Sequence, residues 1–519
     1  MHTIVSNGFV VLITVAFIVV VYFVNFWWKR RRLRELGNRI PGPKVLPFLG
    51  NITDMVGWTM EETLQKYLKV ASLYIPTLRL WIGPRLLVVV SDPVDLENLM
   101  NNPKCLGRDD IKDLLDKYPL GDGLFLLSGE KWKYHRKVIV PTFHYNILTS
   151  FVEIFNRNAK ILVKNLREGA ETSKIIDVLD YLTLCTFDNV CETVMGISMR
   201  SQEKNDSKYL DSMTEYFYLM VDMYLKPWLQ IPFIFWLTPG YKRMKECQSY
   251  LINFSETLID KKVKQYRENL KDSATKGSEN GKQRKAFLDL VIDSVENNNS
   301  TFSKKDIIGE INILTFTGFE TAASNLSFLF MLLGFHQDIQ AKVYEEISDI
   351  FGDDLDRPVT MEDFNNMRYV DKVIKESLRL YPVVPVIPRE ASEDIEINGY
   401  TIPKGSDVIF NIYFLHHNPK IYPNPEEFNP ENFSAERCKG RHPYAYLPFS
   451  GGSRKCVGAK YAILQMKTVI ATVIRHFVVQ PACDRDEMKR LCAHITLRLA
   501  GGFKIRLEPR SKPTHGVVR

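Results

Sequence analysis

Cysteine is sparse in this chain of 519 residues: there are 8, none paired as C-x-x-C and none combined with histidine at zinc spacing. That excludes a disulfide framework and a zinc module, and it fits a reducing compartment. Excess charge is missing too. A formal net charge of +7 is small for this length and excludes the concentrated basic field of a nucleic-acid-binding protein. Long hydrophobic runs are absent but for one near the N-terminus. What the chain does have is length and 45% hydrophobic residues, enough for several domains or for one large unit with an ample core.

The single apolar run, Phe9 to Trp28, is uncharged and about twenty residues long, the length that crosses a bilayer as a helix. Lys29, Arg30, Arg31, Arg32 and Arg34 follow it, and Trp27 and Trp28 stand where interfacial aromatics belong. The positive-inside rule then puts the rest of the chain in the cytosol. The competing reading is a cleaved secretory signal. The length of the run, the basic residues after it and the lack of a small-residue cleavage site weigh against that. Ile40-Pro-Gly-Pro-Lys-Val-Leu-Pro47 reads as a stiff, extended spacer.

The densest chemical signal is Phe449-Ser-Gly-Gly-Ser-Arg-Lys-Cys456-Val-Gly458, followed at once by a helical run from Ala459. Gly451 and Gly452 permit a tight, close-approaching backbone. Backbone N–H groups near the helix start favour a thiolate at Cys456. Arg454 is placed to pair with an anion, and Gly458 lets the new helix pack close to a flat group. The competing reading, a buried free cysteine in a loop, is the commoner fate of a lone Cys. With every fixed position of F-x-x-G-x-R-x-C-x-G matched, the segment resembles the haem-binding loop of the cytochrome P-450 family, the haem-thiolate monooxygenases. The resemblance makes Cys456 the axial iron ligand, with Phe449, Arg454 and Gly458 around the cofactor.

Other segments extend the resemblance over roughly Pro41 to Arg510. Trp132 and Arg136, four apart on one helix face, match the family's W-x-x-x-R pair, which donates to a haem propionate; the bland alternative is a packed Trp with a snorkelling Arg. Ser303 and Asp306 predict the capped start of a long helix that is apolar all round, hence central and buried. Within it, Thr317-Gly-Phe-Glu320-Thr321-Ala322 departs at both ends from the family's (A/G)-G-x-(D/E)-T-(T/S) but keeps the inner positions. Gly318 is expected to open a groove beside the iron. Thr321 is expected to bond back and bend the helix, and Glu320 to carry protons inward. In many family 4 members the residue before that glycine is Glu and esterifies the haem. Here it is Thr317, so a non-covalent haem b is expected. Glu376 and Arg379 match the E-x-x-R lock, whose third partner is open between Asn432, Arg441 and His442, because Asn432 replaces the usual Arg. Arg389 is a third propionate partner.

The fold implied is mainly α with a minor β-subdomain (α+β): an anchor at 9–28, a linker at 29–47 and a haem-thiolate catalytic domain at 48–519. Leu78–Gly83 and Leu86–Ser91 read as strands around Gly83-Pro84, and Ile395–Ile402 as a hairpin with an Asn-Gly turn. Ile176–Leu270 reads as helical, and Asp272–Arg284 as a polar surface linker. Leu120, Leu124, Phe125, Thr317, Val384, Val386, Ile387 and Leu497 are candidate substrate contacts. The aromatic stretch Trp228–Leu237 is either core or a loop dipping into the membrane. Lys133, Lys137, Arg437, Lys439, Arg441, Lys455 and Lys460 form a basic face, either simply solvated or a dock for an acidic electron donor.

The resemblance implies insertion of one oxygen atom into an apolar substrate, fatty-acid-like or xenobiotic. Electrons would come from NADPH through NADPH-cytochrome P-450 reductase, with cytochrome b5 as a second donor, at the cytosolic face of the endoplasmic reticulum. The chain looks most like insect members of family 4. Two rivals stay open: a haem-thiolate isomerase or dehydratase acting on a peroxide, and a non-catalytic haem-binding membrane protein. Asn51-Ile-Thr and Asn299-Ser-Thr match the glycosylation pattern but are expected to be unmodified in the cytosol.

Overall fold

The computed structural model describes residues 13–510 apart from 15–16, 19–20, 22–23, 56, 58, 109–118, 122, 205–206, 277–285 and 298–299. Much of the expected anchor lies outside the described residues; residues 24–29 are helical. Among the described residues one helix is long and apolar enough to cross a membrane, Lys304–Phe335, and 83% of its apolar window is buried inside the protein. It is a core helix.

The elements that position the site are α1 (Pro93–Asn101), α2 (Gly129–Ile139), α3 (Val178–Val190), α4 (Lys208–Leu225), α5 (Pro239–Lys276), α6 (Lys304–Phe335), α7 (Arg368–Leu380) and α8 (Ala459–His476). Helix α6 starts where the sequence predicts: the Ser303 hydroxyl accepts from the Asp306 amide, and the Asp306 carboxylate accepts from the Ser303 amide and hydroxyl. Its 32 residues span about 48 Å. The two halves of α6 belong to different apolar cores. Ile311, Phe316 and Phe319 pack with Phe187, Tyr209 and Phe217, whereas Ala323, Leu326 and Phe328 pack with Leu378, Ile470 and Phe503. The Gly318–Ala322 turn therefore sits at the junction of the two.

The main sheet is built from β1 (Thr77–Ile82), β2 (Arg85–Val90), β3 (Val386–Glu390) and, after the hairpin of β4 (Ile395–Ile397) and β5 (Tyr400–Ile402), β6 (Asp407–Asn411). Its order is β1-β2-β6-β3, with β2 and β6 parallel. The β4–β5 turn has Asn398 at φ 48 and Gly399 at φ 74, the left-handed pair that an Asn-Gly hairpin needs. A C-terminal hairpin, β7 (Leu491–Ala493) and β8 (Leu497–Leu499), reaches α6: the Ser324 hydroxyl donates to the Leu497 carbonyl at 2.7 Å.

Two expectations need correction. Ile176 and Asp177 form a short strand against Ile505 and Lys504, not a helix start, because β-branched Ile176 finds an unpaired edge there. Residues 272–276 continue α5, since no proline or glycine intervenes before Gly277; the rest of the expected linker lies outside the described residues. Asn51 is fully buried, donates to the Lys44 carbonyl and accepts from the Trp81 amide, so it is closed to glycosylation on steric grounds alone.

Candidate active site

The Phe449–Gly458 loop folds against α1. A side chain at Gly452, which has φ +63, would meet the Met100 carbonyl at 2.3 Å, and one at Gly451 would meet Tyr444 at 2.8 Å and the Met100 sulfur at 3.1 Å. Both glycines are thus required for close approach. The Cys456 amide donates to the Phe449 carbonyl at 2.9 Å and closes the loop. Cys456 is surrounded by protein at long range, yet its own surface is open. Burial pushes its thiol up, while the Gly458 amide and the Arg136 charge pull it down without fully offsetting burial. A bound metal cation would reverse that balance, because a coordinating thiol gives up its proton. A Cβ on Gly458 would touch only the Cys456 sulfur, at 3.9 Å, which leaves a flat face beside the thiol. Among the described residues no three His, Cys, Asp or Glu side chains converge to hold a metal.

Three buried guanidinium groups lie near one another, one of them, Arg454, on this loop itself. Arg389 is 3% exposed, Arg108 7% and Arg454 8%. They donate to backbone carbonyls: Arg108 to Phe125 at 2.8 Å, Arg454 to Leu127 at 2.7 Å, Arg389 to Pro388 at 2.8 Å. Arg454 also lies over the Trp132 ring at 4.2 Å, and Arg136 donates to the Lys455 carbonyl at 3.0 Å. Burial, then repulsion from Arg389 and Arg454, pushes Arg108 well below its ordinary value; burial takes Arg389 down to about 10. Neither Arg108 nor Arg389 is paired with a carboxylate among the described residues. Gathering like charges in a buried cluster is costly, and a dianionic ligand such as a haem carrying two propionates would relieve it. The residues present fit that group. Arg108 was not among the expected partners, since nothing local in the sequence distinguishes it from any other loop arginine.

On α6, the Thr321 hydroxyl donates to the Thr317 carbonyl at 2.7 Å, and Thr317 donates to Ile313 at 2.7 Å. The expected back-bond is present. Glu320 turns the other way: successive helical residues point about 100° apart. Its carboxylate, 1% exposed, accepts from Arg498 at 2.7 and 2.8 Å and from the Thr496 hydroxyl at 2.7 Å. Gly318 sets the spacing between α3 and α6. A Cβ there would sit 2.8 Å from Val190, so the glycine lets α3 and α6 pack closely.

The Glu376–Arg379 pair is fully buried. Arg379 donates to both carboxylate oxygens at 2.8 Å and to the carbonyls of His416, Pro425 and Glu427. The third partner is Asn432, which donates to Glu376 at 3.0 Å. Arg437 and Arg441 in turn donate to Asn432, while His442 lies with Glu97 and Tyr444.

Among the candidate substrate contacts, Leu120 and Leu124 are buried with Ile313 and Leu314 of α6, and the loop docks there because Gly121 and Gly123 approach the Gly309 backbone. Thr317 and Val384 are half-buried, and Val386 leans on Leu78 and Ile409. Phe125 is 43% exposed, with Arg108 over its ring; Ile387 packs with Trp81 and Phe410; Leu497 is fully buried in the second core. In the Trp228–Leu237 stretch, Trp228, Ile231, Phe233, Ile234, Trp236 and Leu237 are exposed, Phe235 is buried and Leu229 is half-buried against the core, so the core reading fits only Phe235 and Leu229. A second unforeseen feature is His135, whose Nδ1 lies 2.7 Å from the fully buried Glu310 carboxylate and ties α2 to α6.

The family description "Cytochrome P-450" matches residues 40–506. Curated relatives include cytochrome P-450 4c3 of Drosophila melanogaster, 36% identical over 95% of this chain and 93% of its own length. Cytochrome P-450 4c21 of Blattella germanica is 35% identical over 93% and 95%, and human cytochrome P-450 4V2 is 35% identical over 93% of each.

Proposed function

Because this chain belongs to the cytochrome P-450 family and is a haem-thiolate monooxygenase, we propose that it oxygenates an apolar, fatty-acid-like or xenobiotic substrate with electrons from NADPH, delivered by a membrane-bound reductase. The balanced reaction is RH + O2 + NADPH + H+ giving ROH + H2O + NADP+. The observation that carries this reading is the Cys456 thiol on the open Gly458 face, with Arg136 bonded to the adjacent Lys455 carbonyl and the buried Arg454 of the same loop near Arg108 and Arg389. Haem b, when bound, supplies the oxygen-activating chemistry, and a thiolate ligand favours O–O cleavage.

The chain's own residues do the rest. Trp132, Arg136, Arg389 and Arg454, joined by Arg108, would hold the propionates. The Thr321 hydroxyl, already donating to Thr317, keeps lone pairs to accept and pass on a proton, and the neighbouring Glu320 carboxylate, held by Arg498 and Thr496, carries protons inward toward it. Leu120, Leu124, Thr317 and Val384 wall the apolar side. The exposed apolar side chains of the Trp228–Leu237 stretch, with exposed Val45, Leu46, Phe48 and Leu49, enter the bilayer of the endoplasmic reticulum behind the 9–28 anchor. The exposed Lys133, Lys137, Arg437, Lys439, Lys455 and Lys460, with Arg441, offer an acidic reductase or cytochrome b5 a basic face. The test is turnover of a fatty-acid panel by full-length protein with reductase and NADPH, read by mass spectrometry beside a peroxide-rearrangement assay without reductase. Products in the second assay alone would replace monooxygenation by isomerisation, and products in neither would leave a haem carrier.

A further inference from the structure

Two rungs of polar contact join α2 to the first turns of α6. Lys131 and His135 stand one turn apart on α2, and Asp306 and Glu310 one turn apart on α6, so each pair shares a face. Lys131 Nζ lies 2.8 Å from Asp306; His135 Nδ1 lies 2.7 Å from Glu310 and its Nε2 3.7 Å from Asp306. His135 is 1% exposed and Glu310 fully buried, and the His135 ring rests on Phe302 with centroids 4.4 Å apart. A buried ion pair adds little net stability over an apolar one and is favourable only in excellent geometry. Its use here is therefore sought in what it positions.

The inner rung meets a loop that serves two sides of the site. Side chains added at Gly121 and Gly123 would meet the Gly309 backbone at 2.6 and 2.7 Å, so the loop lies against α6 one residue from Glu310. Burial raises the Glu310 carboxyl above its ordinary value, and the His135 bond and the Leu124 amide hold it back. That amide faces the carboxylate, although Glu310 Oε2 completes no hydrogen bond of good geometry among the described residues. Beyond Leu124, the Leu126 and Leu127 amides donate to the Gly123 carbonyl at 2.9 and 3.2 Å and close a tight turn. The Phe125 and Leu127 carbonyls accept from Arg108 and Arg454. One turn thus carries Leu124 into the apolar wall and holds two of the buried guanidinium groups.

We infer that His135 and Glu310 are positioning residues that pin the Gly123–Leu127 turn to α6 and so fix the place of Leu124 in the substrate pocket. The inference rests on the proposed oxygenation of a fatty-acid-like substrate, whose chain Leu124 would line. Glu310 precedes Thr317 by about two helical turns and lies on the same stripe of α6, so the pinned turn and Thr317 face one side of that helix. Neither His135 nor Glu310 bonds to the thiolate loop or to Thr321 among the described residues. Their loss therefore falls on substrate binding and not on the chemical step.

Two readouts test this on the haem-loaded, full-length protein. In Glu310→Leu and in His135→Leu, amide hydrogen exchange in the 123–127 segment should quicken about tenfold, the lower end for losing one hydrogen bond to a charged group. With reductase, NADPH and lauric acid, or the best fatty acid from the panel, KM should rise about tenfold while kcat stays within about twofold. Glu310→Gln keeps an accepting oxygen and should stay close to wild type in both readouts. Gly123→Ala, which forces the turn off Gly309 and Ile313 with the pair intact, should reproduce both effects. Full haem incorporation separates a displaced turn from misfolding; where Glu310→Leu takes up no haem, His135→Leu and Gly123→Ala carry the same test. Unchanged exchange in the haem-loaded variants, or exchange that quickens equally along all of α2 and α6, overturns the pinning. Faster exchange in the turn with unchanged KM, or a fall in kcat alone, overturns the role in the pocket. If the wild type oxidises no fatty acid while Glu310→Leu still loosens the turn, the substrate reading fails and the pinning stands.

Discussion

Replacing Arg379 with alanine should be among the most damaging single changes outside the thiolate loop. The side chain donates five hydrogen bonds: two to Glu376 and one each to the carbonyls of His416, Pro425 and Glu427. Both partners of the ion pair are fully buried. Removing Arg379 leaves the Glu376 carboxylate with only the Asn429 amide at 2.9 Å and Asn432 at 3.0 Å. An uncompensated buried charge of this kind costs about 3–5 kcal/mol, before counting the carbonyls that lose their donor. Even the lower figure is a change of about 150-fold in the folding equilibrium and a large share of a typical domain's stability. Asn432→Ala removes one bond to a charged group and should cost about 1.5–3 kcal/mol. Arg379→Lys should fail to rescue, because an ammonium cannot reproduce the planar fork. Urea unfolding followed by circular dichroism, alongside the rate of haem loss, measures both. A shift below about 1 kcal/mol for Arg379→Ala, the size expected of an exposed pair, would refute the argument.

Three further outcomes follow from the site. Thr321→Ala should bind haem normally but divert NADPH electrons to peroxide; unchanged product per NADPH would remove Thr321 from proton delivery. Acid–organic extraction of the wild type should release all the haem, because the Thr317 hydroxyl cannot supply the acyl half of an ester; haem retained through denaturing chromatography would contradict this. His416 accepts from the Leu447 amide at 2.9 Å, and burial, with repulsion from His417 and Arg379, pushes it down to about 3. Its folded value lies below its unfolded one, so its contribution is complete above about pH 6.5 and is lost as pH falls toward 3. By about pH 5 the loss is roughly 2 kcal/mol. His416→Gln should flatten the pH–stability curve in that window, and an unchanged slope would show that His416 is protonated in the fold.

What could be read in the chain was local. The thiolate loop, the Glu376–Arg379 pair three residues apart, the Ser303 cap and the Asn398-Gly399 turn all declare themselves within a few residues, because loop closure, helix spacing and turn stereochemistry act at that range. Partners distant in sequence did not. Arg498 lies 178 residues from Glu320, and Glu310 lies 175 from His135; only the packing of the hairpin and of α2 against α6 brings them together. Arg108 shows the same limit, since its meaning comes from two other arginines in the folded protein. Gly318 shows it as well: a helix glycine signals close approach, but the sequence does not say that the neighbour is Val190. Among the apolar candidates, alternation along β3 put Ile387 into the sheet core, a consequence of register with β6.

The central claim is that Cys456 presents a thiolate to haem iron. Its most direct test is the absorption spectrum of the reduced, carbon-monoxide-bound protein, with and without Cys456→Ala. The wild type should show the red-shifted band that thiolate ligation produces, and the variant should lack it even where some haem is retained. The same band in the variant, or its absence from fully haem-loaded wild type, would contradict the assignment.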